Sequence, residues 1–490
     1  MSNRKTKLLL QFFFLFFLGL MAYFKFSFHE LWKDEWQAWL IANDSGSLNN
    51  LFALLPGEGH PPLWFLLLKL VGFTKLILPN IQAHHLLQGF HLLMYAGSLY
   101  LFLFKFKFNL WIKITLLSGY FLFFEYGVIN RSYVVLLFLS FLISWLSEHP
   151  QKTFWWLTVG LFLLCITEVY GFFIALSFLS FIYFRIRKTQ GDVVSKYWLL
   201  PFSGIILGLL VFLFSVGVFS GSSSGLSSFN SFEGKNIVEK IFLAIQSLFA
   251  NTLWIGATPF SSQEVSKTAI LFSLSIILLL HLFLRKQKWM YLSYFIFISC
   301  LFLFTLLFYQ GGPRQWGVHL ILLISLLNHF KVERLSPGLA MFSFYLLLVS
   351  IVFFQGLHNF KIVLMEKSLP FSNSKHAGHY IKNNISTEDI IIGVNKAYCT
   401  PVIGYSERSF IELPSQQAFS YFIFNEKTYL PSPTDLEVFA RNNSNKKVYV
   451  VSYIPFPLGQ FKNLVYVREF SRRNIRNENY FIYYINPERL

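Results

Sequence analysis

The 490-residue chain is 54% hydrophobic and 20% aromatic, but only 13% of its residues are charged, and its mean hydropathy is +0.51. A soluble domain usually carries about 25% charged residues, so this chain lacks the polar surface to cover itself with water. Intrinsic disorder, a disulfide scaffold and an ordinary cytosolic enzyme are excluded, and the class is a polytopic membrane protein. The net charge of +17 is not the footprint of a nucleic-acid binder. The basic residues fall in short runs between apolar segments, as positive-inside anchors do, and no basic face exists to track a phosphate backbone. Cys165 and Cys300 lie in apolar stretches and Cys399 stands alone in the tail, which leaves no disulfide framework.

The basic start Met1–Lys7 precedes the apolar run Leu8–Phe24 without a small-residue cleavage site, which predicts an uncleaved first span entering from the cytoplasm. The loop that follows, 27–83, is then the first outer loop. Its apolar run Leu63–Leu78 is short and carries Lys69 and Lys75, both expensive at mid-bilayer. Read as a full crossing, it would put the Lys105–Lys113 stretch outside. Read as an interfacial amphipathic helix, it puts Lys105, Lys107, Lys113, Lys152, the Arg185–Lys188 run with Lys196, the Arg285–Lys288 run and Lys331 with Arg334 inside, as the charge bias requires.

At roughly 20 apolar residues per crossing, eleven spans are expected, near 8–26, 84–104, 110–128, 132–147, 153–167, 170–186, 198–219, 268–285, 289–309, 315–330 and 338–357. Residues 1–360 then form a mainly α transmembrane domain whose carboxyl end emerges outside. The Gly/Ser-rich stretch Ser220–Ser231 reads as a flexible outer loop, and Ile237–Trp254 reads as a second interfacial helix. From about Lys361 charges, Asn and Pro become frequent. Strand-like runs follow at Ile390–Val394, Lys447–Tyr453, Leu464–Val467 and Tyr480–Ile485, with a helix predicted at His376–Asn384. Residues 361–490 are therefore expected to be a small extracytoplasmic α/β domain.

The first outer loop contains Leu31-Trp32-Lys33-Asp34-Glu35-Trp36-Gln37-Ala38-Trp39-Leu40. Asp34 and Glu35 would open a helix, where acids favour the positive end of the dipole. That is a sufficient structural role in itself. The tryptophans would anchor the helix among headgroups and hold the acids where a lipid-borne phosphate arrives. The loop closes in Gly57-Glu58-Gly59-His60-Pro61-Pro62, whose prolines cannot continue a helix and leave His60 at the bend. Arg131, in Asn130-Arg131-Ser132-Tyr133, and Arg314, in Gly312-Pro313-Arg314, stand at outer span ends. Arginines there either snorkel or clamp an anion bidentately. Glu168, in Thr167-Glu168-Val169-Tyr170, adds a third outer acid beside Tyr170.

Taken in order, the acid pair, the His-Pro-Pro helix, the Arg-x-Tyr turn and the late outer arginine resemble the GT-C glycosyltransferase superfamily. That group includes protein O-mannosyltransferases, the aminoarabinose transferase of lipid A and oligosaccharyltransferase subunits. The segments Asp34–Ala42, Glu58–Trp64, Tyr120–Tyr126 and Arg131–Tyr133 are more closely similar to a little-studied bacterial branch of it.

The resemblance covers about residues 8–330 and implies transfer of a sugar, with inversion, from a polyprenyl-phosphate donor to an extracytoplasmic glycan, lipid or protein acceptor at the bacterial inner membrane. It implies Asp34, with Glu35, as the catalytic acids, and Arg131, Arg314 and His60 as donor-phosphate ligands. Tyr133, Glu168, Tyr170 and Lys69 are further site candidates. A divalent cation (Mg2+, Mn2+ or Zn2+) held by Asp34 and His60 stays open. His60 departs from the lysine that such transferases often place before the Pro-Pro step. A lipid-linked-sugar transporter or flippase, or an inactive scaffold, is the alternative. Transporters usually carry charge at mid-bilayer, whereas these spans are nearly free of it.

Overall fold

The computed structural model describes residues 3–190, 196–216, 234–255, 264–330, 338–423 and 429–486. Among them, seven helices are long and apolar enough to cross a membrane. They are Arg4–Ser27, Ala83–Lys105, Val169–Arg187, Trp198–Ser215, Lys267–Leu284, Lys288–Leu307 and Leu339–Ser368; Tyr133–Leu146 is apolar but shorter. At 1.5 Å per residue, helices of this length match a hydrocarbon core of about 30 Å. The chain is a mainly α, multi-pass membrane protein with a small C-terminal sheet.

Three of the expected crossings take other forms. The stretch 110–128 becomes a helix Leu110–Leu117, capped by the Asn109 side chain, and a π-helical segment Phe121–Val128. The stretch 153–167 lies in the 16-residue helix Pro150–Cys165, and 315–330 is a turn Pro313–Trp316 followed by Val318–Leu327. Leu63–Gly72 is a ten-residue helix with a 3-10 turn, Phe73–Leu76, too short to cross. Ile237–Leu248 and Ala250–Leu253 are helical. The loop Ser220–Ser231 lies outside the described residues.

Contacts divide the chain into two units. The first comprises Met1–Tyr23, Leu55–Trp64 and His91–Val363; the second comprises Phe24–Leu54, Phe65–Phe90 and Leu364–Leu490. In the first, Lys196–Ser215 lies against Pro150–Cys165 through Gly204 and Gly208. A Cβ at these positions would stand 2.8 Å from the Thr158 carbonyl oxygen and 2.6 Å from Cys165 Cβ. Small residues four apart are what let two membrane helices approach this closely.

The second unit holds a six-stranded mixed sheet: β1 Ile390–Gly393, β2 Phe410–Glu412, β3 Gln417–Phe419, β4 Val448–Ser452, β5 Leu464–Phe470 and β6 Tyr480–Ile485. The order is β3-β2-β1-β4-β6-β5, with β1 parallel to β2 and β4 and the other pairings antiparallel. Ile392, Val450 and Tyr483 from the strands pack with Leu436 and Phe439 of the helix Pro433–Asn442.

The helix Lys33–Asp44 belongs to this unit. It lies on the helix Lys396–Ser406, where Gly404 admits the Trp36 indole so closely that a Cβ would sit 2.2 Å from the ring. Trp32, Trp36 and Trp39 are 6%, 1% and 3% exposed, which corrects the expected headgroup anchors. Trp36 packs instead against Tyr405 within the unit, at a centroid distance of 5.1 Å.

Candidate functional site

In the first unit the sequence-predicted residues gather around Glu168, at the turn between Pro150–Cys165 and the following span. Its carboxylate accepts a hydrogen bond from the Ser132 hydroxyl and lies 3.2 Å from His60 Nδ1. The backbone brings His60 there: the two prolines start the Leu63–Gly72 helix at once, and Leu63 N–H donates to the Ile166 carbonyl at 3.1 Å. Burial would raise the Glu168 pKa. His60, Ser132 and the Arg131 charge outweigh burial and hold it below the ordinary value, so the group is a carboxylate.

Tyr133 stands among the charges of Glu168, Arg314 and Arg131. Its ring continues into Tyr126 at 5.8 Å and Tyr170 at 6.5 Å, which makes an aromatic wall. Tyr126, on the π-helical segment, donates its hydroxyl to the Arg314 carbonyl at 2.8 Å. Gly317 makes this possible, because a Cβ there would lie 2.4 Å from that hydroxyl. Arg131, Arg314, His60, Glu168, Tyr133 and Tyr170 therefore share one locality, although they lie up to 254 positions apart. Two half-buried guanidiniums whose charges reach the aromatic wall at Tyr133, with one anchored carboxylate, suit recognition of a phosphate and an adjoining polar group.

In the second unit Asp34 and Glu35 occupy the first turn of Lys33–Asp44, but in different settings. Glu35 is fully buried. It accepts from Trp32 N–H at 3.1 Å, closing its own helix start, and faces His29 Nε2 at 3.0 and 3.2 Å. His29 Nδ1 meets Glu366 Oε1 at 2.5 Å. Burial pushes Glu30 up to about 7 against the opposing charges of Lys375 and His29.

Asp34 is half-buried, and its charge reaches Glu478, whose pKa is raised chiefly by burial and further by Asp34. Arg476 stacks over the Trp32 ring at 3.9 Å and is also an electrostatic neighbour of Glu478. Lys69 turns away from this chemistry: its ammonium donates to the Ala42 and Gly46 carbonyls at 3.0 and 3.2 Å, at the far end of the same helix.

His29, Glu366, Arg476 and Glu478 escape a reading of the sequence. His29 alone left a signal, a polar residue just past a span end. The others lie hundreds of positions from the loop they serve. Among the described residues no three His, Cys, Asp or Glu side chains gather as metal ligands.

No family model and no curated protein matches the chain. Solved structures match it in shape along its length. ArnT from Cupriavidus metallidurans bound to undecaprenyl phosphate superposes with a TM-score of 0.59 at 10% identity, covering 99% of this chain and 98% of that one. The same protein in the apo state gives a TM-score of 0.57 at 12% identity, over 100% and 99%. The fold is like that of ArnT.

Proposed function

We propose that the chain is a membrane glycosyltransferase that moves a sugar from a polyprenyl phosphate to an acceptor outside the cytoplasm. The observation that carries this reading is the full-length likeness to a fold solved with undecaprenyl phosphate bound. The gathering of Arg131, Arg314, His60 and Glu168 supports it. In this reading the Asp34 carboxylate takes the proton from the acceptor hydroxyl. The acceptor oxygen bonds to the anomeric carbon from the face opposite the phosphate, with inversion, and the bond from that carbon to the phosphate oxygen breaks. The charge released on the lipid phosphate is met by Arg131 and Arg314, with His60 beside them; preorganised charge of this kind often lowers a barrier more than any other feature of an active site.

Glu35 is the neighbour that fixes the helix bearing Asp34, and Tyr133 and Tyr170 form the wall against which the sugar lies. The first outer loop and the tail face the periplasmic side of a bacterial inner membrane, and the amino end lies in the cytoplasm. The test is mass analysis of envelope glycans in a deletion strain. Wild-type chain should restore the missing sugar and Asp34→Asn should not; restoration by Asp34→Asn would defeat the assignment.

A further inference from the structure

Within the second unit a cavity of about 340 Å³ opens between the end of the Lys33–Asp44 helix and the Leu63–Gly72 helix with its 3-10 turn. Ligand pockets generally span about 300–1,000 Å³, so a small polar headgroup fits. Its polar lining comes from Asn43, Asp44, Lys69 and Lys75. The Lys69 ammonium spends two N–H groups on the Ala42 and Gly46 carbonyls, and an ammonium has three to give. Lys75 Nζ lies 3.2 Å from Glu407 Oε1 at a half-exposed ion pair, which a ligand can join or displace at little cost. Burial raises the Asp44 pKa, opposed by a hydrogen bond with the Ser420 side chain and by the charges of Lys75 and Lys69. The wall is shaped by Gly72, where a Cβ would stand 1.6 Å from Asn43 Oδ1.

The rim is apolar. Phe73 and Leu76 line the cavity and are also 56% and 82% exposed; Leu70 and Ile77 beside them are 64% and 80% exposed. A contiguous exposed apolar strip marks an interaction surface, and here it leads directly into a chamber that carries both signs of charge. A water-soluble ligand would leave the strip bare. An uncharged lipid would leave the charges unused, and a purely anionic one would meet Asp44.

We propose that this cavity binds the headgroup of a zwitterionic phospholipid of the phosphoethanolamine type. Its phosphate lies on Lys69 and Lys75, its ammonium on Asp44, and its acyl chains run over Leu70, Phe73, Leu76 and Ile77. The site is separate from the transfer chemistry and is read without turnover.

The test uses the full chain, purified free of phospholipid, with retention of added lipid followed by native mass spectrometry. Phosphatidylethanolamine should be retained at least about tenfold more tightly than phosphatidylglycerol. Asp44→Asn should erase that preference, and Lys75→Gln should weaken both lipids several-fold. A folded Gly72→Ala chain, with Asn43 pushed aside, should lose retention as well. Soluble phosphoethanolamine should compete at least about a hundredfold more weakly than the lipid; equal competition would overturn the lipid assignment in favour of a free headgroup ligand. Equal retention of both phospholipids by the wild type, or an unchanged preference in Asp44→Asn, would overturn the site.

Discussion

His29 and Glu366, 337 positions apart, meet with Nδ1 2.5 Å from Oε1, while the other ring nitrogen of His29 faces Glu35. Two carboxylates on two ring nitrogens require both nitrogens to donate, so the ring is an imidazolium. Burial alone would lower its pKa; the charges and hydrogen bonds of Glu35 and Glu366 outweigh burial and raise it to about 9. The folded value lies above the unfolded value of about 6.5. Its contribution to stability is therefore complete below that pH and disappears as pH rises through 9. His29→Gln should cost about 3–5 kcal/mol at pH 6, as a broken buried pair does. The gap to wild type, measured by thermal unfolding in detergent, should close toward pH 10, and a gap independent of pH would contradict the imidazolium.

The two neighbouring acids should part company under mutation. Asp34→Asn should lower transfer by about 10²–10⁴, the usual worth of a general base, and leave the unfolding temperature nearly unchanged. Glu35→Gln removes the charge facing His29 and should instead lower the unfolding temperature. Measuring turnover and melting on both variants separates a chemical role from a structural one, and matching behaviour would refute the division.

Glu168 should show the opposite pH sense to His29. Its pKa is held down in the folded chain, so its stabilisation is present above about pH 4.5 and is lost as pH falls through its folded pKa. Glu168→Gln should flatten the acid side of the stability profile. It should also slow transfer by roughly 10–100-fold, because His60 loses the carboxylate it is bonded to and Arg131 loses a neighbouring negative charge. Acid unfolding and turnover of the same preparation test both halves.

Arg314 and its support give a graded pair. Arg314→Ala should slow transfer by about 10²–10³, in line with the loss of a preorganised charge. Tyr126→Phe removes only the hydroxyl on the Arg314 carbonyl, worth about 1 kcal/mol. It should raise the KM for the lipid donor a few-fold with kcat nearly intact. A larger kcat effect from Tyr126→Phe than from Arg314→Ala would reverse the assignment.

Gly404→Ala places a methyl group against the Trp36 indole. Overpacking of this kind costs about 1–3 kcal/mol and displaces the helix that carries Asp34, so stability and turnover should fall together. Trp36→Phe, combined with it, should restore part of both; absence of any rescue would show that the contact is not the cause.

What the sequence disclosed was decided by periodicity. Long apolar runs such as Lys288–Leu307 and aliphatic strands such as Ile390–Gly393 announce themselves. The helix Lys396–Ser406 did not, because Pro401, Val402 and Ile403 argue against it locally and only the packing of Tyr405 and Gly404 sustains it. The π-helical Phe121–Val128 has no signature period. The strands β2 and β3, of three residues each, are too short for alternation to register. At the site, Arg131 and Arg314 were visible as charges at span ends, whereas Arg476 and Glu366 were not, since nothing local ties them to the loop around Asp34.

The membership of the second unit also dictates an order of assembly. Phe24–Leu54 leaves the ribosome among the first segments, yet Tyr405, which receives the Leu31 amide at 2.6 Å, and Phe422, which accepts from Gln37 at 2.6 Å, are synthesised more than 370 residues later. Until then the Trp36 indole has no Gly404 to close over. Nascent chains must hold this loop unfinished through nearly all of translation, so a truncation before residue 405 would strand it without its partner surface however well the membrane helices inserted.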